Sequence, residues 1–515
     1  MMNKLGTASH EATPTEAWRA AAFDRLDREQ FDLLVVGGGI TGCGVARDAA
    51  LRGLRVALCE KDDFASGTSS RSSRLIHGGV RYLEHGHLHL VFESSRERRR
   101  LLRIAPHLVR PLAFTWPVYD GARVAHWKLL AGLTLYDALA LFRNVGNHRR
   151  LTHDAVLARE PALRADGLQG GARYWDAATD DARLTLANAI AAARGGGVIL
   201  NHAPVVAFTR SDGRVDGAVV RDAISEREVT VHARSVVSAA GPWTDVVQAM
   251  EEPHNRAAVL GSAGVHVAVP RDRVGNREAL TLVAPQDGRV FFALPAGEHA
   301  IIGTTELPAA ATPDDVRASR SDVRYLLEAA NAYFPHSVLG DDDVVAAWSG
   351  IRPLAASLAS GDAGSASREH TIAVGGGGVI AVTGGKLTTY RAMAEETVDH
   401  VVATLGMAGA NGRAGREVPL PGGNISSLAT TQAECVAETG EDKLSTHLTM
   451  NYGGDWRSVW ATVRESPELA EPMASQLPYL LGEALYAMRH EMACSLGDVL
   501  LRRTHVAFET RDHGV

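Results

Sequence analysis

The chain has 515 residues, 45% of them hydrophobic and 22% charged, enough for two or three domains with sizeable cores. A net charge of −7 gives no basis for nucleic-acid binding. The polar start "MMNKLGTASHEATPTEA" has no secretory apolar core, and no run reaches the ~20 apolar residues of a spanning helix. Cys43, Cys59, Cys435 and Cys494 form no C-x-x-C pair, which points to reduced thiols in a cytosol-facing protein.

An amphipathic helix is expected over Thr15–Arg28, followed by a buried strand over Leu33–Val36. Gly37, Gly39 and Gly42 then fit G-x-G-x-x-G. The first glycine permits the turn, the second lets backbone approach a pyrophosphate, and the third lets helix and strand pack closely. Ala and Val at helical spacing predict a helix over Ile40–Leu51, with phosphates on its N-terminus. A second strand, Arg55–Cys59, leads to Glu60, placed to accept from a ribose hydroxyl and to repel a 2′-phosphate. NAD and FAD remain.

Further along, the basic stretch "RERRRLLRIAPHLVR" precedes an apolar segment, His126–Arg150, interrupted by Asp137. It suits either a helix lying in a membrane interface or a buried helix with a solvated basic neighbour. Strands are expected at Val198–Leu200, Val205–Phe208, Val215–Val220 and within Ser235–Asp245, and an antiparallel sheet between Gly264 and Thr305. Gly384, Gly385 and Lys386 mark another strand-to-helix junction. A Gly/Pro-rich linker follows, then a helical region over Ser426–Arg503. Nucleotide-fold pieces thus recur at separated places along an α/β chain. FAD, with its long ribityl arm and bulky ring, needs protein from beyond the first helix, and the dipole at the late junction favours charge on a reduced flavin. FAD is the better fit. "RHEMAC" lacks a second His and a third ligand, so no metal site is expected.

The motifs "GTSSRSSRLIHGGVRYLEH", "DDARLTLANA", "AAGPW", "IIGTTE", "WSGIRPL" and "GGKLTTYR" occur in order. With them the chain, over Phe31–Arg503, closely resembles FAD-dependent glycerol-3-phosphate dehydrogenases of the aerobic, membrane-associated type. The resemblance implies a discontinuous Rossmann-like FAD-binding domain (25–110, 150–245 and 340–405), an antiparallel-sheet substrate or cap domain (111–149 and 246–339), and a C-terminal helical domain (406–515). It implies oxidation of sn-glycerol 3-phosphate to dihydroxyacetone phosphate by a cytoplasmic enzyme held peripherally at the membrane surface, with electrons passed to a membrane quinone. A homodimer is possible.

By the same resemblance, Arg81, Arg352 and Lys386 hold the substrate phosphate, with Arg368 nearby, as a dianion requires. His266 is the base that takes the hydroxyl proton; at an unperturbed pKa near ~6.5 its rate would fall through that pH. Tyr82, Thr304 and Thr305 are expected at the substrate. FAD contacts are expected from Gly37, Gly39, Gly42 and Glu60, and from Thr68, Ser69, Ser70 and Ser73 in the polar loop. His77, Gly78 and Gly79 continue that loop, and Val206, Gly241, Gly385, Lys386, Leu387 and Thr388 complete the set. The FAD is expected to be tight but non-covalent. Ala263 stands where the family usually carries Lys or Arg, Glu306 stands for Asp, and the chain stops soon after "DVLLRRTHVAF". A glycerol-3-phosphate oxidase and a catalytically impaired flavin-binding regulatory protein are the alternatives.

Overall fold

In the computed structural model, residues 14–80, 83, 86–252, 259–309, 312–355, 370–407 and 414–514 are described. The strand Leu33–Val36 lies within a six-stranded sheet, between Val236–Ser238 and Val56–Cys59. Ile380–Gly384 and Val198–Leu200 extend it in parallel, and His370–Val374 closes one edge antiparallel. The runs Leu33–Val36, Val56–Cys59, Val198–Leu200 and Val236–Ser238 are buried throughout and carry no polar alternation because both faces are covered. On one face lie the helices Ile40–Leu51, Asp181–Arg194 and Tyr390–Leu405, meeting the sheet through Val45, Ala49, Leu186, Ala189 and Val398. The other face packs on a four-stranded sheet and on the helix Pro14–Arg28, whose Phe23 and Leu26 are buried.

A ten-stranded sheet forms the second layer. Its centre is antiparallel: Val259–Pro270, His299–Gly303, Val290–Ala296 and Ala279–Val283 pair in succession. Two strands from stretches that the expected boundaries assign to the FAD-binding domain pair into this sheet. Leu168–Thr179 pairs along the whole of Val109–Tyr119, and Ala346–Ala355 pairs with Val259–Pro270. Long cross-strand pairing, which joins residues far apart in sequence, decides their membership.

The helix His126–Leu139 buries one side and exposes part of the other. Leu129, Leu133 and Tyr136 are buried, while Trp127 is 73% exposed. Asp137 is buried and accepts from Asn144 Nδ2 at 2.7 Å and from the His148 backbone N–H at 2.8 Å, so it anchors the loop that follows. No helix among the described residues is long and apolar enough to cross a membrane.

The C-terminal helices gather around Cys435, Leu448, Trp456 and Val459. Buried ion pairs fasten this region to the nucleotide-binding layer, Arg183 to Glu491 at 2.7 Å and Arg503 to Asp63 at 2.6 Å. All four cysteines are free thiols.

Candidate active site

The strand–turn–helix at Leu33–Leu51 has the close packing its glycines imply. Gly37 has φ +108°, and a Cβ there would lie 2.7 Å from the Ala239 carbonyl oxygen. A Cβ on Gly42 would sit 1.9 Å from the Gly37 carbonyl oxygen, so helix and strand touch only because both are bare. Gly39 caps the helix with no side-chain bond, and Ser69 Oγ accepts from the Ile40 N–H at 2.9 Å. Glu60 accepts from Gly38 N–H at 2.5 Å and Asp62 N–H at 2.9 Å. Burial pushes its pKa up, and those two bonds partly offset the rise.

A cavity of about 390 Å³ opens at this helix N-terminus. It passes Glu60, Ser69, Ser73 and His77 and reaches the junction from Gly384 to Leu387, with His266 and Arg352 in its wall. These features fit a flavin dinucleotide: bare glycines and a helix N-terminus for the pyrophosphate, a carboxylate for the ribose, and a distant strand-to-helix junction for the ring end.

A smaller cavity, about 130 Å³, adjoins it on the side of the ten-stranded sheet. Ser73, Leu75, His77, Phe292 and Arg352 line both. Asp176, Arg289, Thr304 and Thr305 belong to the smaller one alone. Arg352 stands opposite Ser262 in the sheet, and its Nη2 donates to Thr304 Oγ1 at 3.1 Å. Thr305 Oγ1 accepts from the Val265 N–H at 3.0 Å, tying the threonine pair to the neighbouring strand.

His266 is buried on that same strand, its ring stacked on Trp348 at 5.5 Å and 12°. A Cβ on Gly303 would lie 2.4 Å from its Cδ2, so the facing strand needs glycine there. Nε2 lies 2.8 Å from Ser73 Oγ. Burial first, then the charges of Arg352 and Arg74, push its pKa down to about 3. The unperturbed value expected from sequence does not hold in this environment.

Residues 32–391 match the family described as FAD dependent oxidoreductase, and residues 414–515 match the C-terminal domain of alpha-glycerophosphate oxidase. The glycerol-3-phosphate dehydrogenase of Mycobacterium leprae (strain TN) is 40% identical over 503 residues, covering 96% of this chain and 84% of the relative. That of Synechocystis sp. is 36% identical over 515 residues, covering 96% and 92%. The crystal structure of the Bacillus halodurans glycerol-3-phosphate dehydrogenase complexed with FAD superposes with a TM-score of 0.78 at 32% identity, covering 95% of this chain and 89% of that one. The chain belongs to the FAD-dependent glycerol-3-phosphate dehydrogenase family. Its cofactor is FAD.

In this flavoprotein, Thr68, Ser69, Ser73, His77, Gly241, Gly385, Lys386 and Leu387 line the larger cavity, and Gly79 lines the smaller. Three of the residues expected at FAD, Ser70, Gly78 and Thr388, line neither cavity. Ser70 is buried. Thr388 Oγ1 holds the His77 backbone, accepting from its N–H and donating to its C=O, both at 3.1 Å. Gly78 N–H donates to Tyr136 Oη at 2.9 Å and Asp176 Oδ1 at 3.0 Å. Val206 lines neither cavity; its neighbours Pro204 and Val205 form the wall of the larger one there. Arg81, Tyr82 and Arg368 lie outside the described residues.

Sequence reasoning missed Asp176, Arg289 and Trp348. Asp176 had a signal, being an acid inside the strand "GGARYWDAAT". It is paired with buried Arg98, which also bonds Tyr136 and Asn144. Arg289 places a cation in the smaller cavity, whereas Ala263 offers none.

Proposed function

We propose that the chain oxidises sn-glycerol 3-phosphate to dihydroxyacetone phosphate and passes the electrons to a membrane quinone. The observation that carries the reading is Arg352, shared by the two cavities and set in the same sheet as His266. Bound FAD supplies an acceptor for the hydride from the alcohol carbon. Arg352 and Lys386 bind the phosphate, the guanidinium through its planar fork, with Arg81 and Arg368 adding charge. Thr304 and Thr305 orient the substrate from the sheet, and His266 takes the hydroxyl proton.

A docking face for the membrane surface is supported beside the helix His126–Leu139. Trp127, Leu141, Phe142 and Val145 are 73%, 52%, 60% and 49% exposed. Arg96, Arg103 and Arg143 crowd Arg99, whose pKa is lowered by its partial burial and by these like charges. Exposed aromatics beside clustered cations suit an anionic bilayer interface, where quinone is available.

Anaerobic addition of glycerol 3-phosphate to the purified flavoprotein tests the substrate. Bleaching of the flavin is expected, with glycerol and lactate inactive; an unbleached flavin would overturn the reading. The C-terminal match to alpha-glycerophosphate oxidase supports a second reading with oxygen as acceptor. Rapid reduction of a quinone dye without peroxide favours the first; stoichiometric peroxide selects the second.

A further inference from the structure

We infer that Ser73 carries the substrate's hydroxyl proton to His266. The inference rests on the reading above, in which His266 is the base. His266 is 3% exposed, and its two nitrogens differ in access. Nδ1 is buried with no hydrogen-bond partner among the described residues. Nε2 faces Ser73 Oγ at 2.8 Å. The ring lies against Trp348, and Cδ2 lies against Gly303. His266 lines the larger cavity alone, whereas Ser73 lines both. An alcohol in the smaller cavity therefore meets the serine hydroxyl on its way to the imidazole.

The step balances. The substrate O–H bond breaks and its proton bonds to Ser73 Oγ, while the Ser73 O–H bond breaks and that proton bonds to Nε2. Ser73 ends as the neutral hydroxyl it was, and the imidazole gains one proton and one positive charge. The alcohol carbon would form its carbonyl as its hydrogen leaves with the bonding pair, for which FAD bound in the larger cavity would be the acceptor under the proposed function. The resting ring must carry its proton on Nδ1, leaving the Nε2 lone pair for Ser73. His266's low proton affinity keeps that lone pair available at neutral pH.

The test compares FAD-loaded parent enzyme, Ser73→Ala, Ser73→Thr and His266→Asn in anaerobic stopped flow at saturating glycerol 3-phosphate. Ser73→Ala is expected to slow flavin reduction by about 10²-fold or more, with substrate affinity changed far less, and Ser73→Thr to restore most of the rate. In mixed light and heavy water the parent should give a curved proton inventory, from two protons in flight. Independently of turnover, carbethoxylation of His266, read by peptide mass spectrometry, should rise several-fold in Ser73→Ala as Nε2 is uncovered. A Ser73→Ala enzyme at the parent rate beside a slow His266→Asn enzyme would overturn the relay and leave His266 as a direct base. A His266→Asn enzyme at the parent rate would overturn the base reading itself. If Ser73→Ala does not retain FAD, the parent's inventory and the Ser73→Thr rate decide, and a linear inventory overturns the relay. Unchanged carbethoxylation overturns it too.

Discussion

Arg352 joins two jobs in one side chain: it borders both the larger cavity and the smaller one, and it bonds Thr304. A charge-assisted bond to phosphate is worth roughly 1.5–3 kcal/mol, so Arg352→Ala should raise the Michaelis constant for glycerol 3-phosphate at least about tenfold. The FAD spectrum should stay unchanged, and ordinary affinity in the variant would remove Arg352 from the substrate site. At His266 the environment sets the sign of the pH response. Burial and two nearby arginines disfavour the imidazolium, so the pKa moves down to about 3 and the neutral base persists as pH falls. Single-turnover flavin reduction should therefore stay level through pH 6.5 and down to about pH 5, with no imidazole inflection in that window. Stopped-flow rates across pH check this; a fall centred near 6.5 would mean that the ring is solvated in the working enzyme.

At the scale of elements, the strand–turn–helix from Leu33 to Leu51 leaves no slack. In Gly42→Ala the new methyl would have to displace the Gly37 carbonyl or the helix, since a Cβ there is 1.9 Å from that oxygen. The variant should lose FAD on gel filtration and melt several degrees lower; full flavin content at the parent melting temperature would show that the turn yields. This element was legible in the sequence because its signals are local: glycine spacing, a short apolar run, and an acid at the next strand's end. The helix Ile40–Leu51 occurs as expected. The ten-stranded sheet was legible only in part, as the alternation over Gly264–Thr305 identified its centre. Pairing of Val109–Tyr119 with Leu168–Thr179 depends on partners about sixty residues apart, at the level of tertiary packing. The candidate site divides in the same way. Glycines and arginines stand out by motif, while Ser73 against His266 and Arg98 against Asp176 are contacts that no spacing rule encodes.

Across the whole molecule, the surface and the domain junction make separate demands. Trp127 and Phe142 expose most of their area beside the arginine cluster. Burying an aromatic in an interface is worth roughly 1.5–3 kcal/mol, so Trp127→Ser with Phe142→Ser should weaken binding to anionic vesicles at least about tenfold. Flavin reduction in solution should be unaffected, and equal co-sedimentation of parent and variant would move the docking face elsewhere.

Buried ion pairs hold the junction with the C-terminal helices. Arg183 reaches from the helix Asp181–Arg194 to both oxygens of Glu491, at 2.7 and 2.8 Å, and its guanidinium lies 4.4 Å from the Tyr452 ring centroid. Both partners are nearly inaccessible, with side-chain exposures of 7% and 3%. Desolvation makes such a pair a weak net stabiliser, but removing one partner strands the other charge in a buried site. Arg183→Met should therefore destabilise the fold by about 3–5 kcal/mol, and Glu491→Met by a comparable amount. The double variant Arg183→Met/Glu491→Met should recover much of the loss, because no uncompensated charge remains. Urea unfolding of the four FAD-loaded proteins measures the cycle. Additive losses would mean that water reaches the junction and that the C-terminal helices are held by their apolar contacts alone.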